Sequence, residues 1–512
     1  MRGGCLNNCK MRVVGICKDS TNMKRLVLPI IVMAGLLCGH LLLPEQACAQ
    51  DSRAAASDVL SMTQHNSDLI DNRALSETQT EASLTSSQSL QPQLSVTAPN
   101  KSLRDVARDS ALTNHKLIYF GKGEEPPRDS VTNLIRRFYE NQFHHFSDPL
   151  APYFLFLSKD SKLAMGMGGC VRMRGYLDWG GSIPSPGFAP YLIPMQKDPT
   201  RERYLGTTPA GTCLFFRVIG ANKTLGNYQI YIEANFNGYQ ARDFRLKKAY
   251  ATINDWTIGY ANSTFSDPQA LPPIIDASGP NAKMSATSVL VRWMHDLPKG
   301  FTIAASLETP DQSIETVDNV TAKASQYIPD VAVFAQWKFN TSDHIRLAAI
   351  YRSFSYRDLL AGKNHYAGGW GLQFSSIWSP VAPLTLYGTF NGGAGYASLG
   401  GDWLMGNYDL VADRDRPGRL YSPYTIGGFA CVQYNFTPQV FVSGTFGGTR
   451  YLPRYAMQPD EYKEGLYMAA NVYWYLTPRI SCGAEIDLGR RKNADGNARW
   501  ARRLNLMAQF SF

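Results

Sequence analysis

From Lys162 to the C-terminus the chain runs in short segments of alternating polarity, sixteen of them, rich in Tyr, Phe, Val, Ile and Trp. Period-two alternation describes a β-strand with one dry and one wet face. Aromatic and β-branched residues suit such a pleated surface. NYQIYIEANF, VAVFAQWKF, GLYMAANVYWYL and the terminal RRLNLMAQFSF are representative. In the last of these, Leu504, Leu506, Ala508, Phe510 and Phe512 are apolar, while Asn505, Gln509 and Ser511 are polar. A frayed terminus normally carries polar residues. A chain that ends on an apolar edge must have something for that strand to pair with.

The connections indicate what. They alternate short and long along the whole region. The short ones are NKTLG, IND, DLPKG, NTSD, SPVA, TPQ and TPR. The long ones run 180–211, 238–243, 266–287, 310–330, 358–364, 397–423, 452–463 and 492–500, with only the second brief. A soluble sandwich has no reason to sort its loops this way, whereas an outer-membrane barrel puts short turns on the periplasmic side and long loops outside. The strand faces agree: Leu466, Met468, Ala470, Val472 and Trp474 alternate with Tyr467, Ala469, Asn471, Tyr473 and Tyr475. Aromatics crowd the short-turn ends (Trp256, Trp293, Trp337, Phe339, Trp378, Phe436, Trp474), as at a membrane interface. The predicted fold class is all-β, a transmembrane antiparallel β-barrel of about sixteen strands over residues 162–512, with an N-terminal disordered or helical periplasmic extension. An even strand count leaves both termini in the periplasm. Lipid tolerates no unpaired edge, so the last strand must close against the first.

The preceding residues divide by composition. Met23-Lys24-Arg25, the apolar run Leu26–Leu43 and Ala47-Cys48-Ala49 have the layout of a secretory signal peptide, so 1–49 reads as a leader with an over-long start. No other stretch reaches the roughly 18 uninterrupted apolar residues of a transmembrane helix. Residues 50–127, with SETQTEASLTSSQSLQPQLS, read as a flexible spacer. Residues 128–161 read as an amphipathic helix and lead-in, with Val131, Leu134, Ile135, Phe138 and Phe143 on one stripe and a stop before Pro149. Cys170, Cys213, Cys431 and Cys482 are far apart, lack metal-ligand spacing and read as small apolar strand residues. Of the formal net charge of +9, residues 162–512 hold +8.

A barrel of this size encloses water rather than a packed interior, and something must narrow it. The 266–287 loop, SDPQALPPIIDASGPNAKMSAT, is apolar and proline-rich, and is predicted to fold inward against the wall; the alternative is an external loop packed on its neighbours. By alternation Arg172 and Arg174 face the lumen with Tyr176, and Arg217, Arg292, Arg346 and Arg352 follow the same phase. A cation pointing into lipid is costly. In FRLKKAY, Lys248 and Tyr250 face in together, whereas Arg245 and Lys247 need a bulge, a subunit interface or the headgroup zone. Tyr231, Tyr387 and Tyr473 are further lining candidates. Rings of Arg and Lys favour anion passage.

FRLKKAYATINDWTIGYANSTFSDPQALPPIIDASGPNA is similar to the strand–turn–strand–loop segment of the DcaP-like porins. AMGMGGCVRMRGYLDWGG resembles their first strand and GRRKNADGNARWARRLNLMAQFSF their last hairpin. The resemblance runs in order from about Asp129 to the C-terminus. It implies a homotrimeric outer-membrane channel for passive diffusion of small anions, dicarboxylates among them, set among outer-membrane lipids and lipopolysaccharide. The spacer lacks a clear heptad, so a coiled-coil extension like that of relatives is not implied.

Other chemistry is weakly represented. His295-Asp296 lacks a nucleophile in motif context, and His144-His145 has no further ligands nearby. GGAGYASLGG lacks the lysine of a phosphate loop, and DRDRPGR reads as a solvated loop tip. The sequence therefore assigns no catalytic, cofactor or metal site and no nucleic-acid partner. The rival readings are a structural or adhesive barrel with a plugged lumen, and a non-selective general porin.

Overall fold

The computed structural model describes residues 102–125, 131, 143–149, 152–160, 162–222, 224, 226–237 and 243–512. The leader, residues 50–101 of the spacer and nearly all of the amphipathic helix lie outside these. Three elements precede the barrel: helix α1 (Leu103–Thr113), β1 (Lys116–Phe120) and β2 (Phe154–Ser158). The first seven strands after them are β3 (Leu163–Trp179), β4 (Arg203–Thr208), β5 (Cys213–Asn222), β6 (Gly226–Asn237), β7 (Asp243–Ile253), β8 (Trp256–Asn262) and β9 (Thr287–Leu297). Next come β10 (Phe301–Glu308), β11 (Thr321–Lys323), β12 (Asp330–Lys338), β13 (His344–Asp358), β14 (Lys363–Val381) and β15 (Leu384–Ala394). The rest are β16 (Val411–Ala412), β17 (Leu420–Tyr421), β18 (Tyr424–Asn435), β19 (Val440–Leu452), β20 (Tyr462–Thr477), β21 (Ile480–Asn493) and β22 (Ala498–Ser511).

Sixteen of these form a closed antiparallel barrel, as the alternation predicts: β3, β5 to β10, β12 to β15 and β18 to β22. The seam is β22 against β3, with Leu504 opposite Leu177 and Phe510 opposite Val171. Past the last strand residue, the Phe512 N–H and carbonyl exchange hydrogen bonds with Gly169 at 3.0 and 2.9 Å. The terminal aromatic is thus a ladder rung. Beside the seam, β4 continues the line of β5 along the upper part of β3 after a break at 209–212. Pro209 cannot donate to the ladder there and Gly211 has φ +96°. Cys170 and Cys213 face each other as free thiols in that register, and all four described cysteines sit on strands.

The faces are inverted relative to a soluble protein. On β20, Val472 and Trp474 point outward and are 42% and 54% exposed, while Tyr467 and Tyr473 point inward at 0% and 2%. Exposed aromatics gather at both ends of the outer wall: Trp256, Phe301, Trp337, Phe436 and Trp474 toward the short turns, and Tyr351, Tyr366, Trp370, Tyr424 and Trp500 toward the long loops. These are the two girdles of a membrane barrel.

One segment corrects the sequence reading. Residues 103–120, assigned to the spacer, form α1 and β1. Ser102 caps α1 by accepting from the Asp105 N–H at 3.1 Å. The helix lies against the short turns: Leu103 N–H donates to the Ala382 carbonyl at 2.8 Å, and Ser342 Oγ donates to Asp105 at 2.6 Å. Strand β1 runs parallel to β2, which in turn adds to the lower edge of β3 below the seam. Both elements are short, and the partners that stabilise them are the barrel's own turns and edge.

Leu506 on β22 points outward at 55% exposure, while its neighbour Asn505 is fully buried in the lumen. Leu506→Arg should lower barrel stability in phospholipid vesicles by about 2–4 kcal/mol, as for a cation near the bilayer midplane. Equilibrium urea unfolding measures it. A change under about 0.5 kcal/mol, typical of a wet surface position, would place Leu506 in water.

Candidate functional site: a lumen narrowed by two inward segments

The connection between β8 and β9 enters the barrel, as its apolar composition predicts. Leu271, Ile274, Ile275, Ala282 and Met284 are buried there. Polar contacts fasten it along the wall. Thr264 N–H donates to Glu308 at 2.8 Å. Pro273 O accepts from Ser443 and Asn471 at 3.1 and 2.8 Å. The N–H groups of Ile275 and Asp276 both donate to the Glu485 carboxylate, at 2.7 and 2.6 Å. Asn281 Nδ2 donates to the Gly465 carbonyl at 3.0 Å, and Asn391 donates to the Ala282 carbonyl at 2.8 Å. The loop thus touches β10, β15 and β19 to β21. Its backbone is irregular, yet wall side chains satisfy it where strand pairing does not.

A second segment, 143–149, crosses the lumen from the lead-in. The Phe143 ring lies 3.8 Å from the Arg292 guanidinium and 5.5 Å from that of Arg346, and its carbonyl accepts from Asn262 at 3.1 Å. Phe146 packs edge-on against Tyr473 at 5.3 Å and Phe441 at 6.0 Å, on β20 and β19. Asp148 then reaches β7, where Lys247 and Lys248 hold it at 2.8 and 2.9 Å. The segment is a strap between separate parts of the wall. Below it, a cavity of about 1060 Å³ opens among the short turns, lined in part by Arg108, His144, His145, Gln336 and Lys338.

All eight residues singled out in the sequence point inward. Arg172 is half-buried, and donates to Gln509 at 2.7 Å and to the Ser147 carbonyl at 3.0 Å. Arg174 meets Asp276 of the inward loop at 3.5 Å and the Pro186 carbonyl at 2.6 Å. Arg217 lies over the Tyr231 ring at 4.5 Å, and Tyr250 packs 5.3 Å from the same ring. Arg292 donates to the Asn262 carbonyl at 3.2 Å besides stacking on Phe143. Arg346 donates twice to Gln336, at 2.8 and 2.6 Å, and lies 3.6 Å from Asp267. Arg352 sits between Asp330 at 2.9 Å and Asp409 at 3.1 Å. The strap brings Arg172, Lys248, Arg292 and Arg346 into one set of contacts. Arg174 and Arg352 stand apart, Arg174 held by Asp276 and two loop carbonyls and Arg352 between two carboxylates.

The phase conflict in FRLKKAY resolves as a bulge. On β6, Glu233 is opposite Lys248 and Ala234 opposite Leu246, so Lys247 is the extra residue and both ammonium groups turn inward. Arg245 stays at the loop end, paired with Asp243 at 2.7 Å. Sequence reasoning missed the carboxylates: Asp148, Glu233, Asp267, Asp276, Asp330 and Asp409. Only Asp267 and Asp276, bracketing the apolar part of the inward loop, carried a signal, since a carboxylate folded into a cationic lumen needs a cation.

No family model and no curated protein sequence matches the chain. Among solved structures, the outer-membrane channel DcaP of Acinetobacter baumannii superposes with a TM-score of 0.60 at 18% identity, over 71% of this chain and 100% of that one. An anion-selective porin from Comamonas acidovorans gives 0.46 at 10% identity, over 69% and 100%. Vibrio cholerae OmpT gives 0.45 at 9%, over 69% and 98%. The chain therefore shares the fold of the first; the two lower scores add nothing to that.

Asp267 anchors the start of the inward loop through His344 Nε2 at 2.9 Å, Ser375 Oγ at 2.5 Å and Arg346. Burial opposes its ionisation, but Arg346 and His344 outweigh burial and hold its carboxyl far below the usual carboxylate range. A depressed carboxylate lends its stability fully above the unfolded value of about 4 and loses it only as pH falls through the depressed one. Limited pepsin digestion at pH 4 should therefore leave the loop intact. Asp267→Ala, which removes the carboxylate facing buried Arg346 and His344, should weaken loop docking by about 3–5 kcal/mol and expose it at the same pH. Equal protection in both proteins would deny Asp267 that role.

Proposed function

We propose that the chain is an outer-membrane channel for passive diffusion of small anionic solutes, dicarboxylates among them, assembled as a homotrimer with both termini in the periplasm. The carrying observation is the lumen-facing set of cations on β3, β5, β7, β9 and β13, behind an outer wall that is apolar between two aromatic girdles. Arg292 illustrates the point: its partners are a carbonyl and a ring, with no carboxylate within ion-pair distance among the described residues. Such a charge raises the local concentration of anions and lowers their barrier to entry. The DcaP channel, of the same fold, is an outer-membrane channel by name, which agrees with that location. Outward Leu214, Phe216, Ile230, Ile232 and Leu246 on the early strands offer apolar surface for neighbouring subunits.

The test is the reversal potential of the purified full-length protein in planar bilayers under asymmetric salt. The unmodified channel should prefer anions, and preference should fall at high ionic strength as the lumen charges are screened. Arg217→Gln with Arg292→Gln should move the potential toward zero without unfolding the barrel. Full anion selectivity in the double variant would remove these arginines from the filter and leave a general porin. The strap across the lumen favours one rival, a structural barrel with a plugged bore. Absence of any current from folded protein would establish that rival.

A further inference from the structure

We propose that Lys247 and Lys248 form a carboxylate-binding site in the lumen, filled here by the chain's own Asp148, and that a solute carboxylate takes the same place when Asp148 leaves. The inference rests on the channel reading above and names the solute site within it.

The site is built rather than incidental. The β7 bulge turns two consecutive lysines to the same side, which a regular strand forbids. Their ammonium groups divide one carboxylate between them, Lys247 to Oδ1 at 2.8 Å and Lys248 to Oδ2 at 2.9 Å. That is the geometry any free carboxylate would adopt. Glu233 backs the pair from β6, at 2.7 Å from Lys247 and 3.6 Å from Lys248, and is itself fixed by the Tyr231 hydroxyl at 3.0 Å. Arg172 stands next to the occupant, donating to the carbonyl of Ser147. With Asp148 withdrawn, three cations would face one carboxylate, an excess of positive charge suited to an anion with two carboxylates.

The occupant belongs to a segment that has room to leave. Phe143 and Phe146 hold the strap to the wall on either side of His144 and His145, and the large cavity beneath it already reaches His144, His145 and Phe146. A second, small cavity of about 40 Å³ is bounded by Asp148, Arg172, Gln509 and Ser511 among others, so there is space beside the occupant and Arg172. Asp148 also accepts from the His145 N–H at 2.9 Å, so the carboxylate is presented by a small turn. A solute competes with a tethered anion, and the tether sets the concentration it must exceed.

Succinate binding to the full-length protein in detergent, followed by titration calorimetry, tests this. Asp148→Asn should bind succinate at least ten-fold more tightly than the unmodified protein, and adding Lys248→Gln should abolish that gain. Acetate should gain less than succinate. Unchanged affinity in the Asp148→Asn variant, or a gain that survives Lys248→Gln, would overturn the site. Should Asp148→Asn fail to show the heat-dependent gel mobility of a folded barrel, a Ser147→Cys variant decides. Succinate should then speed its labelling by a maleimide several-fold through release of the strap, and an unchanged rate overturns the proposal. Bilayer current is a separate reading. Its absence sinks the channel function, whereas a conducting protein whose variants fail these tests sinks this site alone.

Discussion

Backbone N–H and carbonyl groups have no water to bond in hydrocarbon, and that single constraint organises the molecule. Every strand must find two neighbours, so β22 closes on β3 and even Phe512 exchanges bonds with Gly169. Closure then divides the side chains into two sets. The outward set has lipid for solvent and is apolar with aromatic ends. The inward set escapes lipid altogether, and that is where the chain places its buried charges.

Those charges create the second level of structure. A cation in a confined lumen loses part of its hydration, and the loss is tolerable where a carboxylate or carbonyl faces it. The inward loop supplies Asp267 and Asp276 to Arg346 and Arg174, and the strap supplies Asp148 to the two lysines of β7. Loop and wall thus depend on one another: wall cations hold the segments inside, and the segments offset the wall's desolvation. At Arg292 a carbonyl and the Phe143 ring take the place of the carboxylate.

Strand number, closure, the two faces and the inward phase of the arginines were legible because lipid imposes them residue by residue. Period two is a local signal, and Leu504 to Phe512 display it without help from the rest of the chain. The inward course of 266–287 was legible from composition, since Leu271, Ile274 and Ile275 would be poorly placed in water. The ion pairs were not. Asp148 and Lys248 are a hundred residues apart, and no spacing links them; their meeting depends on a bulge that the sequence shows only as a conflict of phase. Helix α1 and β1 escaped for a related reason. Their stability comes from the turns and the edge they dock on, and neither the Ser102 cap nor the short apolar run Leu117–Phe120 reveals those partners.

The central claim is that two segments are fixed inside the barrel by side chains of its wall. Hydrogen–deuterium exchange on the detergent-folded protein measures this directly. The account predicts slow exchange at Thr264, Ile275 and Asp276, whose N–H groups donate to buried Glu308 and Glu485, and at His145, whose N–H donates to Asp148. The N–H of Arg414, on the exposed loop tip, should exchange at once. Exchange of the inward segments as fast as that tip would contradict the account, leaving an open barrel whose cations face water unpaired.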